Sequence, residues 1–94
     1  MSEVSNEDVR ALVLREIYTR KKKGQEILTA PNQYADLLGL PMETVAFNLE
    51  YLIDKHLVRG QAVGSLGTTK KYVFVYDITS QGIDVVKHKH KIRG

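Results

Sequence analysis

Pro31, Gly39 and Pro41 constrain this chain more than any other residues. Proline fixes φ and lacks an N–H, so it suits the first turn of a helix and not its interior. Glycine takes the left-handed conformation that ends helices. Residues 31–38 are therefore predicted to form a short helix that opens at Pro31 and stops at Gly39. Leu40 is the apolar residue inside the turn that follows, and Pro41 opens a longer helix predicted over 41–55. Its apolar positions, Val45, Leu49, Leu52 and Ile53, recur at helical spacing, with His56 at the exit.

Upstream, Ser5 is a helix N-cap with Asp8 three residues on. Val9, Leu12, Val13 and Ile17 then form an apolar stripe, so a first helix is predicted over 6–22, ending in a basic run and Gly24. The connector to Ala30 has room for a brief strand around Ile27 and Leu28. After Leu57 the period changes. Residues 57–63 read as a strand, 64–69 as a turn-rich loop, and 71–78 as a strand rich in β-branched and aromatic residues. Thr79 or Ser80 caps a last helix, predicted over 80–91. The 94 residues suit a single domain, 1–94, with a thin core.

Two helices joined through a tight glycine-containing turn form a helix-turn-helix, and a hairpin directly after them is a wing. The expected fold is thus α+β: a winged helix-turn-helix with a three-helix core, a β-hairpin wing over 57–78 and a C-terminal helix.

Composition narrows the chemistry. There is no cysteine, which excludes disulfides, thiolate zinc sites and cysteine nucleophiles. No apolar run approaches the roughly 20 residues of a membrane span, and the acidic N-terminus is not a signal peptide. A cytoplasmic protein is expected. No paired carboxylates, Ser/His/Asp set or phosphate-cradling glycine loop stands out, so neither an enzyme nor a small-molecule substrate is expected. His88 and His90 stand two residues apart, on different sides of a helix, and no metal or other cofactor is expected. Net charge is +3, a lean toward polyanionic partners. The positive charge gathers at Arg20 to Lys23, at Lys70 and Lys71, and at Lys87, Lys89, Lys91 and Arg93. Residues 32–56 instead hold Asp36, Glu43, Glu50 and Asp54 against Lys55, a local net of −3.

Over residues 34–82 the sequence resembles the winged helix-turn-helix family of prokaryotic transcription regulators. Residues 34–40 resemble its second helix and turn, 43–52 its recognition helix, and 54–58 its exit into the wing. Thr79-Ser80-Gln81-Gly82 is similar to the threonine-x-x-glycine that starts the helix after the wing. The resemblance implies a DNA-binding regulator with double-stranded DNA as partner and the third helix in the major groove. It departs at Ala46 and Phe47, where the family often carries serine and arginine. His56 stands where many members have glycine.

On that reading the outward face of the third helix carries Glu43, Thr44, Ala46, Phe47, Asn48 and Glu50, with Tyr51 near its edge. Thr44 can bond a phosphate or offer its methyl to thymine, Asn48 can pair bidentately with adenine, and Phe47 can pack on a thymine methyl. Tyr51 can also pack under the wing. Thr68, Thr69, Lys70 and Lys71 suit phosphate or minor-groove contact, although lysine also guards strand edges. Lys22 and Lys23 can grip flanking phosphates, or simply satisfy the helix dipole. The acids on the third helix are awkward near phosphates. The alternative is a protein-interaction module that uses this acidic, Phe47-bearing face. Finally, Tyr72, Phe74, Tyr76 and Ile78 fall on one side of their strand and Val73 and Val75 on the other. Apolar residues on both sides point to a homodimer in which a second subunit covers the outer sheet face, or the first and last helices.

Overall fold

The computed structural model describes residues 5–64 and 71–88. Its elements run α1 (Asn6–Lys23), α2 (Pro31–Leu38), α3 (Met42–Asp54), β1 (Val58–Gly64), β2 (Lys71–Ile78) and α4 (Ser80–His88). This is the α+β winged-helix class read from the sequence. α1, α2 and α3 form the helical core, β1 and β2 the antiparallel wing, and α4 returns to pack on α1.

Local chemistry sets the helix ends. Ser5 Oγ accepts from the Asp8 N–H at 3.1 Å, and Gly24 closes α1 at φ 72°. α2 opens on Pro31, and the Gln33 side chain accepts from the N–H groups of Thr29 and Ala30, both at 2.9 Å. Gly39 ends it at φ 68°, and the Leu40 N–H bonds back to Ala35. Pro41, in extended conformation, stands just before α3. His56 takes φ 61° at the exit, a region His tolerates better than most side chains.

The core is one cluster. Val9, Val13, Leu14 and Ile17 of α1 meet Tyr34 of α2, Val45, Leu49 and Leu52 of α3, and Val58, Val73, Val75 and Ile78 of the wing. Each fully buried aliphatic side chain contributes about 1.5–3 kcal/mol. The buried face of α1 includes Leu14, whereas Leu12 is 42% exposed. The α1 stripe is thus turned from the one read in the sequence.

The segment expected to hold a short strand at Ile27 and Leu28 forms none. The hydroxyl of the fully buried Tyr34 donates to the Leu28 carbonyl. The link to the sheet is a single bond, from the Val75 N–H to the Thr29 carbonyl at 2.9 Å.

The wing is where the expected pattern fails. Val58 pairs with Ile78 and Arg59 with Asp77, but Gly60 pairs with Val75. Tyr76 is the extra residue of a β-bulge. The slip reverses the alternation, so Ile78 turns inward together with Val73 and Val75, all three buried. Tyr72, Phe74 and Tyr76 remain outside. The sequence reading had placed Ile78 with the aromatic residues, which an unbroken strand requires. Gly60 permits the bulge: a Cβ there would lie 2.3 Å from the Phe74 carbonyl oxygen and 2.9 Å from Ile53 Cδ1.

Thr79 and Gly82 lock the wing's base. The Thr79 N–H donates to the Leu57 carbonyl, its single hydroxyl proton lies between the His56 and Leu57 carbonyls at 2.7 and 3.0 Å, and Oγ1 accepts from the Gly82 N–H at 3.0 Å as the cap of α4. A Cβ on Gly82 would come 2.0 Å from the Leu57 oxygen and 2.7 Å from Ile78 Cγ1. Gly82→Ala is expected to destabilise the fold by about 1–3 kcal/mol, although alanine is the better helix former. Urea denaturation followed by circular dichroism measures this; an unchanged midpoint would refute the close packing.

Candidate nucleic-acid interface

α3 is held against α1 by a polar cluster that the sequence did not reveal. Asn48 is fully buried. Its Oδ1 accepts from Arg10 Nε at 2.8 Å, and its Nδ2 donates to Asn6 Oδ1 at 3.0 Å and to the Thr44 carbonyl at 2.9 Å. The Arg10 guanidinium also lies over the Tyr51 ring, 3.6 Å from its centroid, with Lys55 Nζ at 5.6 Å. A buried amide persists only when its polar atoms are paired, and these are.

This corrects the expected site. Asn48 does not stand on the outward face and its side chain is not available to a base. Tyr51 is half-buried, with its ring covered by Arg10. Thr44 is half-buried and contributes its carbonyl to Asn48. Phe47 is presented to solvent, 57% exposed, with Met42 and Leu37 also exposed. Glu43 and Asp54 are exposed on the same helix, so α3 offers an apolar and acidic surface rather than a cationic one.

The basic run at the end of α1 divides. Arg20 pairs with Glu16 at 2.6 Å and donates to the Glu26 carbonyl at 3.2 Å. Lys21 bonds both oxygens of Asp77 at 2.9 and 3.1 Å. Lys22 and Lys23 are exposed, with Lys22 Nζ 6.0 Å from the Tyr18 ring. Because Lys21 docks on Asp77, this run sits at the base of the wing. Lys71 is six residues away along β2, roughly 20 Å at 3.3 Å per residue. Lys22 and Lys23 are therefore at the opposite end of the hairpin from the wing's tip. Thr68, Thr69 and Lys70 lie outside the described residues, as do Lys89, His90, Lys91 and Arg93; the side chain of Lys71 also lies outside them. Among the described residues no group of three or more His, Asp or Glu side chains is placed to hold a metal, and no helix is long and apolar enough to cross a membrane.

A short helix, a glycine turn, a second helix and an antiparallel hairpin, joined this way, define a winged helix. No protein-family model matches the sequence, and no curated protein matches it significantly. Among solved structures the chain is similar to S. aureus MepR bound to ethidium bromide, at 23% identity and a TM-score of 0.58. The match covers 96% of this chain and 57% of the MepR chain. The chain thus spans little more than half the length of MepR, and what the two share is the winged-helix fold.

Two outcomes follow from the geometry. Asn48→Ala leaves Arg10 and Asn6 without their partner and is expected to destabilise by about 1–3 kcal/mol, read from urea midpoints. Full stability in that variant would show that the cluster does not hold α3. The Lys21 ammonium, bonded to Asp77, holds that carboxyl below its ordinary value, helped by the Ile78 N–H and offset in part by burial. A depressed folded value means the stabilisation is complete above the ordinary carboxylate range near 3.9 and is lost as pH falls through the folded value. The pair is half-exposed, so Lys21→Ala is expected to lose only about 0.2–1 kcal/mol at neutral pH. That loss should vanish in acid. A difference that persists at the acid end would assign the effect of Lys21 to packing.

Proposed function

We propose that this chain is a DNA-binding transcription regulator of the cytoplasm that presents α3 to the major groove of duplex DNA and acts as a homodimer. The observation that supports this best is the helix-turn-helix itself: α2 and α3 meet through Gly39-Leu40-Pro41, and the hairpin follows directly. MepR, whose fold the chain shares, is described bound to ethidium; no ligand of that kind is assigned to this chain.

Groove contacts on this reading are mostly apolar. Phe47 packs on a thymine methyl, Thr44 reaches a phosphate or a methyl at the helix edge, and Glu43 can accept from a cytosine amino group. Phosphate neutralisation falls to residues outside α3. Those are Lys70 and Lys71 of the wing, together with Thr68 and Thr69, and on a flanking turn Lys22 and Lys23. Two copies meeting through α1 and α4, where Leu12 is exposed, would address half-sites about 34 Å apart.

Anisotropy titrations on duplex DNA across a range of salt test the reading. Affinity is expected to fall linearly on a log–log plot. The paired variant Lys70→Ala and Lys71→Ala is expected to weaken binding to all sequences and to flatten the slope by about 0.9 per lost phosphate contact. Phe47→Ala is expected to alter preference at a thymine position and leave the slope unchanged. Absence of duplex binding at low salt would reject DNA as the partner, and the acidic face of α3 would then be tested against protein ligands with Phe47→Ala as control.

A further inference from the structure

The bulge at Tyr76 leaves a continuous strip of rings on the outer face of the wing. Tyr72 is 53% exposed, Phe74 37% and Tyr76 55%, and Val63, paired with Tyr72, extends the surface. At the base the strip opens into a cleft of about 490 Å³ walled by Tyr76, Arg59, His56 and Ile53. Among the lining residues Arg59 carries the positive charge. Arg59 stands opposite Asp77 in the register, Asp77 is bonded to Lys21, and Lys22 and Lys23 are exposed on the same turn of α1.

We propose that this face binds single-stranded nucleic acid, with successive bases stacked on Tyr72, Phe74 and Tyr76 and the backbone drawn to Arg59 and the lysines of α1. Alternate residues of a strand stand about 6.6 Å apart, roughly twice the 3.4 Å between stacked bases along one strand of a duplex. At the regular rise Tyr72 and Phe74 match an extended strand and cannot each meet a base of a duplex, and Tyr76 follows them at the bulge. Aromatic platforms beside a cationic groove bind single strands with little sequence preference, because every base has a π-face. The cleft beside Tyr76 gives a planar base room at the cationic end of the strip.

This surface is separate from the outward face of α3, so its test does not depend on duplex recognition. The full chain is titrated against a labelled oligothymidylate and against a mixed-sequence duplex, with tyrosine fluorescence recorded alongside anisotropy. The chain has no tryptophan, so stacking is seen directly as tyrosine quenching. Oligothymidylate is expected to bind and quench. Tyr72→Ala, Phe74→Ala and Tyr76→Ala are each expected to weaken that binding roughly fivefold to a hundredfold, while Tyr72→Phe and Tyr76→Phe retain it and duplex affinity is unchanged. Circular dichroism confirms that each variant folds. No binding of oligothymidylate while duplex binds, or alanine variants that bind it as well as the parent, overturns the proposal alone. A dimer in light scattering that Phe74→Ala dissociates also overturns it, because a second copy then occupies the face. Single-strand binding without duplex binding supports it and rejects the duplex reading.

Discussion

Leu57 is the residue at which three elements are tied together. α3 ends at Asp54, His56 turns left-handed, and the Leu57 N–H still bonds back to the Leu52 carbonyl. Thr79, arriving after the wing, donates its N–H to the Leu57 carbonyl and shares its one hydroxyl proton between the His56 and Leu57 carbonyls. Gly82 lets α4 rest on the Leu57 oxygen. One residue thus joins the end of α3, through its N–H, to the close of the hairpin and the start of α4, through its carbonyl. A domain with so thin a core has few other means of holding a two-stranded sheet, which is marginal in isolation.

From that junction the placing of charge follows. Closing the hairpin there brings Asp77 beside the last turn of α1, and Lys21 engages it. The cations of the last turn of α1 are thereby placed at the wing's base, while α3 keeps Glu43, Phe47 and Asp54 toward solvent. A helix without cations cannot supply the counterion release that dominates affinity for duplex DNA. Affinity of that kind would have to come from cations on other elements. The departure from the family pattern at Ala46 and Phe47 and the acids along α3 are then one property, seen first in sequence and then in space.

What the sequence made legible was what short-range chemistry decides. Pro31, Gly39 and Pro41 frame α2 and the turn because proline and glycine act on their own backbone. Ser5 and Thr79 cap helices whose N–H groups lie three residues away. Asn48 was illegible for the opposite reason. Its partners Arg10 and Asn6 are 38 and 42 residues distant, and a polar residue near an exposed stripe reads as surface until the helix across from it is placed. Leu12 and Leu14 exchanged roles for the same cause, since the neighbours of α1 decide which side of its stripe is covered. Arg59 gave no signal at all until the register set it opposite Asp77.

The wing shows how one residue can invert a reading. Alternation along 72–78 puts four large side chains on one side and two valines on the other, and burying the larger set is the ordinary choice. Phe and Tyr each bury about 150–250 Å² when fully covered, so leaving three rings partly outside forgoes a substantial burial. Geometry forces it. The connector is tied to Val75 by the Thr29 carbonyl, Ile53 reaches the strand at Gly60, and compact valines occupy the space between sheet and helices. Sterics explain why rings are not inside; they do not explain why rings stand outside, where threonine or lysine would form an equally good strand face and keep the edge soluble. Exposed rings in register on a strand, beside cationic side chains, invite a planar ligand. That is the feature of this chain which its fold alone does not require.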